Sequence, residues 1–276
     1  MAIKSVIKQL LPPIILHTKQ LITKKKTKQN FSGNYQSWVA AQKESSGYDA
    51  NNILEKCKQS LLKIKNGEAV YERDSVLLNK VQYPWPVLVA LQHIAIANHK
   101  NLSVIDFGGS LGSTYFQIKK FITNLNQLNW TVVEQNQFVT CGKTFFEDQE
   151  LNFEYSIKAA LAKQKSHCIM LSGVLQYLEN PYQFLNEVLS HNFEYILFDR
   201  TSFIDEKQCI TVQNVPNQIY EASYPTWFFN EPDFLKVFET KYEQLSSFNS
   251  NFDGDFLNEN GKKVQWKGFF FKLKTK

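Results

Sequence analysis

Apolar positions along this chain follow three successive patterns. In residues 1–23, MAIKSVIKQLLPPIILHTKQLIT, Ile3, Val6, Ile7, Leu10 and Leu11 recur at helical spacing with Lys4 and Lys8 between them. Pro12 and Pro13 interrupt that helix. From residue 30 to about 100 the spacing remains helical. Ile53, Leu54, Cys57, Leu61, Leu62 and Ile64 make one predicted helix, capped by Asp49 and ended by Asn66-Gly67. Pro84 and Pro86 open another through Val87, Leu88, Ala90, Leu91, Ile94 and Ala95. Beyond residue 100, short apolar runs alternate with helical segments. SVIDF (103–107), WTVVE (130–134), NFEYS (152–156), HCIMLS (167–172) and EYILFD (194–199) read as strands, with helices expected over 113–128, 137–148, 157–164 and 181–190.

Strands that alternate with helices imply a parallel sheet with right-handed crossovers. The chain ends differently. YEQLSSFN (242–249) and VQWKGFFFKL (264–273) flank a polar turn with Asn258, Asn260 and Gly261, which predicts an antiparallel hairpin. The expected organisation is a tail over 1–29, a helical cap over 30–100 and an α/β, Rossmann-like domain over 101–276.

The 276 residues are 43% hydrophobic and 21% charged, an ordinary globular composition. The net charge of +5 belongs to the tail: seven lysines and no acid lie in residues 1–29, and without them 24 basic residues face 26 acidic ones, a net of −2. A near-neutral body argues against a nucleic-acid partner. The basic amphipathic tail suits peripheral contact with an anionic membrane face, and it is too short and charged to span one. Cys57, Cys141, Cys168 and Cys209 form no C-x-x-C pair and no metal spacing, so reduced thiols, a cytoplasmic setting and no metal are expected.

The chemistry concentrates in Val104-Ile-Asp-Phe-Gly-Gly-Ser-Leu-Gly-Ser113. A hydrophobic strand runs into an acid, then into small residues, then into a helix. Glycines there let a ligand approach the backbone closely. Gly108, Gly109, Ser110 and Gly112 form the predicted cradle, and Asp106 at the strand end suits a charged amino group. A dinucleotide fingerprint would need glycine at 110 and 113, where this chain has serine, so a nicotinamide cofactor is disfavoured. Glu134 ends the next strand, 22 residues beyond Gly112, beside Gln135. A carboxylate at that place accepts hydrogen bonds from both ribose hydroxyls.

With these residues in hand, 103–199 resembles the class I S-adenosylmethionine-dependent methyltransferases. Their glycine loop is D/E-x-G-x-G-x-G, which Asp106 to Gly112 follows with Ser110 for the middle glycine. Ser172-Gly-Val-Leu-Gln-Tyr-Leu-Glu-Asn-Pro181 is similar to the family's segment after strand four. The resemblance implies S-adenosylmethionine as cofactor, a mostly parallel seven-stranded sheet with the terminal hairpin, and cofactor contacts by Ser172, Leu175 and Gln176. The family's acid after strand three is missing, since Glu154-Tyr155-Ser156-Ile157 has none beyond the strand. Over about 45–273 the chain also resembles a bacterial methyltransferase-like family that accompanies surface-polysaccharide genes. Asn66 to Val76, Asp199-Arg-Thr201 and Tyr220 to Trp227 carry that likeness.

Methyl transfer mainly requires alignment, and a hydroxyl nucleophile gains from a general base. Asp199 at the end of strand five and Glu221 are the candidate bases. Arg200 is the candidate for holding an anionic group of the acceptor. In VPNQIYEASYPTWFF, Tyr220, Tyr224 and Trp227 are expected to form an aromatic platform for a sugar ring, with Tyr177 and Arg73 as further substrate contacts. The expected function is O-methylation of a sugar or glycan precursor. The alternative is a non-catalytic binding protein of the same fold.

Overall fold

The structure, a computed structural model, describes residues 30–47, 50–215, 222–250, 253–258 and 260–275. The tail 1–29 and the predicted cap Asp49 lie outside them, as do Tyr220 and Glu221.

Five strands form the parallel centre: β4 (Asn101–Phe107), β5 (Gln127–Val133), β6 (Leu151–Glu154), β7 (Cys168–Ser172) and β8 (Tyr195–Ile204). The order across the sheet is β6-β5-β4-β7-β8, every pair parallel. Such strands are covered on both faces, which is why their sequences read as nearly unbroken apolar runs. Helices α4 (Ser113–Ile118), α5 (Asn136–Phe145), α6 (Ile157–Lys163) and α7 (Pro181–Ser190) lie in the crossovers. The first is shorter than expected. It tightens into a 3₁₀ turn over Lys119–Phe121, and Asn124 then turns left-handed (φ +62°) ahead of β5.

Beyond β8 the predicted hairpin is present. β13 (Lys263–Leu273) pairs antiparallel with β8 and with β11 (Tyr242–Asn249), giving the expected seven strands. Helix α8 (Glu231–Glu239) precedes it. Four more strands enlarge the sheet to eleven. β8 continues five residues past the predicted end at Asp199, because β13 pairs with it as far as Ile204. Its free upper edge takes β10 (Ser223–Asn230) in parallel; β9 (Cys209–Asn214) pairs antiparallel with β10, and β1 (Phe31–Tyr35) with β9. Short β12 (Phe256–Leu257) lies on β13. The aromatic segment is a strand from Ser223 onward, as its alternating large side chains and β-rich composition permit.

Residues 30–100 are not purely helical. Helices α1 (Trp38–Lys43), α2 (Ala50–Lys65) and α3 (Trp85–Ala97) are interrupted by a hairpin of β2 (Tyr71–Arg73) and β3 (Val76–Leu78). Asp74 and Ser75 both adopt positive φ (52° and 68°), the two-residue turn that matches strand twist. Residues 31–276 form one compact unit. No described helix is long and apolar enough to cross a membrane.

Candidate functional site

The strand order reverses at β4, with β5 on one side and β7 on the other, and open α/β sheets bind ligands at the carboxyl ends of strands at such a point. β4 delivers the glycine loop there. Gly108 (φ +71°) and Gly112 (φ +96°) turn the chain through conformations that favour glycine. A Cβ on Gly108 would stand 2.4 Å from Cγ2 of Val174, so the loop lies hard against the turn after β7. Ser110 also takes positive φ (56°), so the serine that replaces glycine keeps the left-handed geometry despite its side chain.

Asp106 lies beneath this loop. It is 1% exposed, Trp130 donates its indole N–H to Oδ2 at 3.1 Å, and a Cβ on Gly109 would stand 2.5 Å from its carboxyl carbon. Burial pushes its pKa up to about 7, against the Trp130 hydrogen bond and with help from the nearby charge of Glu134. The residue expected to meet a charged amino group is therefore directed inward, as a brace for the loop.

Glu134 stands at the end of β5. Its Oε2 accepts the Gln135 backbone N–H at 2.7 Å, and the Ser110 backbone N–H also points at the carboxylate. Burial raises its pKa and these two N–H groups lower it, with a net rise. At the end of β6 the Ser156 side chain caps α6 by accepting from Ala159 N, and Glu154 is engaged by Lys163.

A second layer covers the loop from the N-terminal side, where sequence reasoning pointed to Tyr71, Glu72, Arg73 and Asp74 as a cap. Cys57 on α2 meets the Ser110 hydroxyl, and burial pushes the thiol up to about 12. Glu72 on β2 approaches the Ser113 hydroxyl in the first turn of α4. Glu72 is 5% exposed; its Oε2 accepts from Ser75 N at 3.1 Å, while Oε1 is buried without a partner. Burial raises its pKa. Glu72 and Ser113 share a cavity of about 170 Å³ with Leu61, Tyr83, Phe116 and Lys120. The available signal was the run Tyr71-Glu-Arg-Asp-Ser-Val76, where a polar pair between short β-prone runs marks a tight hairpin and puts Glu72 beside a core residue.

The end of β7 and the middle of β8 supply the other wall. Thr201 and Phe198 of β8 pair with Lys267 and Phe269 of β13, so Asp199 and Arg200 together oppose Gly268 alone. This β-bulge bends the strand at the site, and Arg200 takes φ +52° within it. The Ser172 hydroxyl donates to Asp199 Oδ2 at 3.3 Å. Burial pushes Asp199 up to about 6, against the neighbouring Arg200 charge. Arg200 is not open to an anion as expected. Its Nη1 and Nη2 meet Asp74 at 3.3 and 2.9 Å, and its Nε and Nη2 meet Asp253 at 2.9 and 3.2 Å. One guanidinium thereby ties the β2–β3 turn and the segment after β11 to the bulge.

Other expected residues disperse. Leu175 is fully buried in the core, and buried Gln176 donates to the Arg200 carbonyl at 3.0 Å while its Oε1 has no partner. Tyr177 and Tyr224 meet edge to face at 5.3 Å, with the Tyr177 hydroxyl donating to Gln213. Trp227 donates to the Leu178 carbonyl and stacks on Trp38 and Phe229. Tyr224 and Trp227 therefore belong to separate ring clusters rather than to one platform. Arg73 donates to Gln82 Oε1 at 2.7 Å. Among the described residues no three His, Cys, Asp or Glu side chains gather as a metal site.

No family model matches this chain, and no curated protein matches it in sequence. Among solved structures, it is similar to an S-adenosylmethionine-dependent methyltransferase from Clostridium acetobutylicum ATCC 824, at 10% identity and TM-score 0.44, over 80% of this chain and 99% of that one. The N-terminal domain of EvdMO1 with SAH bound is 9% identical, TM-score 0.46, over 82% and 98%. Magnesium protoporphyrin IX methyltransferase (ChlM) from Synechocystis PCC 6803 with bound SAM is 11% identical, TM-score 0.43, over 83% and 99%. At these values no residue role passes from those proteins to this chain.

Proposed function

We propose that this chain is an S-adenosylmethionine-dependent methyltransferase that O-methylates a sugar or glycan precursor. The observation that carries the cofactor reading is the joint geometry of two strand ends. The glycine loop of Gly108 to Gly112 exposes backbone at the carboxyl end of β4, and the Glu134 carboxylate stands beside Ser110 at the end of β5. That pairing suits a nucleoside without a pyrophosphate: close backbone approach at the loop and a carboxylate for the ribose hydroxyls. A second fit is chemical. Glu72 Oε1 is a buried carboxylate oxygen with no partner, and such a group is costly unless a cation meets it. An amino-acid ammonium supplies one. In this reading Glu72 takes the role that the sequence gave to Asp106, and Asp106 stiffens the loop from below.

When bound, the cofactor supplies an electrophilic methyl group on a sulfonium. The protein holds the donor, orients the acceptor oxygen and takes its proton. Asp199 is the proposed base, since it sits on the bulge level with the end of β7, and Ser172 fixes one of its oxygens. Glu221 is the second candidate, from the segment outside the described residues. Tyr177 and Tyr224 offer ring edges and a hydroxyl to a sugar. A cytoplasmic setting belongs to the same reading.

Calorimetry with S-adenosylhomocysteine tests the cofactor, with Glu134→Gln as the control. Micromolar binding that Glu134→Gln weakens is expected, and no binding by the native chain ends this reading. The clasped Arg200 favours one alternative, a binding protein without turnover. Release of S-adenosylhomocysteine in the presence of glycan acceptors separates the two.

A further inference from the structure

Helix α3 carries apolar side chains on its outer side as well as its inner one, with Gln92 and His93 as its polar members. Val87, Leu88, Ala90, Leu91, Ile94 and Ala95 pack inward. Trp85, Val89 and Ile96 point outward and are 53%, 67% and 74% exposed. At 3.6 residues per turn, these three fall with Gln92 on one narrow stripe. Large apolar side chains on an outward helix stripe are normally covered by something. The stripe runs on into a ring cluster. Tyr83 and Phe121 lie 5.1 and 5.2 Å from Trp85, and Lys120 Nζ lies 4.7 Å from the Tyr83 ring.

The stretch of chain that carries this face is basic. Between Ser75 and Val133 the sole acid is Asp106, which is buried. Lys119 pairs with Asp148 and Glu150. Lys80, Lys100 and Lys120 are exposed, and none has a carboxylate partner among the described residues.

We propose that the outer face of α3, with Tyr83, Phe121 and these lysines, docks on an anionic lipid bilayer. Tryptophan and tyrosine place an apolar body and a polar tip at the boundary of such a surface, and aliphatic side chains bury below it. Lysines around the stripe meet the lipid phosphates. A second copy of this chain is the poorer occupant, because a two-fold contact would bring lysine against lysine around the stripe. Nucleic acid would satisfy the lysines but leave the apolar stripe without a partner. Tyr83 and Lys120 also wall the cavity beside Glu72, so the docking face borders the proposed site. The surface is distinct from residues 1–29.

The test is co-sedimentation of the full chain with vesicles of phosphatidylcholine alone or mixed with phosphatidylglycerol. Salt-sensitive binding to the mixed vesicles is expected. Trp85→Ser/Val89→Ser/Ile96→Ser and, separately, Lys80→Glu/Lys120→Glu should each cut the bound fraction by at least about tenfold while keeping the native melting profile. These positions are exposed, so both variants should fold. Mixed-vesicle binding that neither variant alters, as when residues 1–29 carry all of it, overturns the proposal. So does absence of binding, a dimer that the triple variant dissolves, or lysine-dependent binding to duplex DNA that the triple variant leaves unchanged.

Discussion

Trp130 Nε1 donates to Asp106 Oδ2 at 3.1 Å, and both side chains are buried. Asp106 pairs with Val132 across β4 and β5, so Trp130, two residues earlier, is its diagonal neighbour on the same face. A hydrogen bond to a buried carboxyl leaves an unsatisfied acceptor when its donor is removed. Trp130→Phe should therefore destabilise the fold by about 1–3 kcal/mol, read from urea unfolding.

The same pair predicts how stability depends on pH. Burial pushes Asp106 up to about 7 in the folded chain, from an ordinary carboxyl value of 3.8. The folded state holds this proton more tightly, so it contributes stability at acid pH and that contribution falls as pH rises from about 4 to 7. Asp106→Asn should flatten that part of the urea-stability profile. An unchanged slope in the variant would show that Asp106 is not the titrating group.

Gly108 separates two kinds of constraint. Alanine there meets both an unfavourable φ of +71° and the Val174 methyl at 2.4 Å. Gly108→Ala should cost about 2–5 kcal/mol, since overpacking costs about 1–3 kcal/mol and left-handed strain about 1–2 kcal/mol. Adding Val174→Ala should recover only the steric part. Full recovery in the double variant, judged by thermal melts, would mean that backbone conformation matters little at this position.

The parallel centre was legible because five apolar runs alternate with helical spacing, and strands buried on both faces advertise themselves in that way. The tight loop after β4 was legible because small residues cluster at Gly108, Gly109 and Gly112. What escaped depends on long-range pairing. The edge strands β1, β9 and β10 exist because β8 extends to Ile204, and only the register with β13 fixes that length. The bulge at Asp199-Arg200 is likewise a property of two strands, with Gly268 as the sole residue opposite. The Asp74–Arg200–Asp253 clasp joins three segments far apart in sequence, which no local pattern reveals.

That clasp should matter more for stability than an ordinary surface pair. Arg200 spends its fork on two carboxylates, and Asp74 also holds a left-handed turn. Arg200→Lys keeps the charge but loses the planar fork. It should lower stability by about 1–3 kcal/mol, and Asp74→Asn with Asp253→Asn should be non-additive with it, because all three share one network. Additive effects in that cycle, measured by urea unfolding, would show that the carboxylates act independently of Arg200.

Glu72→Gln tests the ammonium assignment independently of the rest of the cofactor. The affinity for S-adenosylhomocysteine should fall at least about tenfold, since a charged hydrogen bond is worth about 1.5–3 kcal/mol. The affinity for 5′-methylthioadenosine, which lacks the amino-acid end, should stay unchanged. An equal loss for both ligands would mean that Glu72 shapes the loop through Ser113 and does not meet the ammonium.

The reacting end makes the strictest demand, because a base must be both placed and deprotonated. Asp199 meets the first condition through the bulge and Ser172, and its pKa of about 6 defines the second. Below pH 6 the carboxyl is protonated and cannot take the acceptor's proton; above it the charged form dominates. The methylation rate should therefore rise with pH through about 6. Asp199→Asn should lower kcat by about 10²–10⁴-fold with donor affinity unchanged. The shape of the profile then discriminates between the two acids. If Asp199→Asn keeps both the rate and the inflection, the base is elsewhere, and Glu221→Gln is the substitution that should remove them.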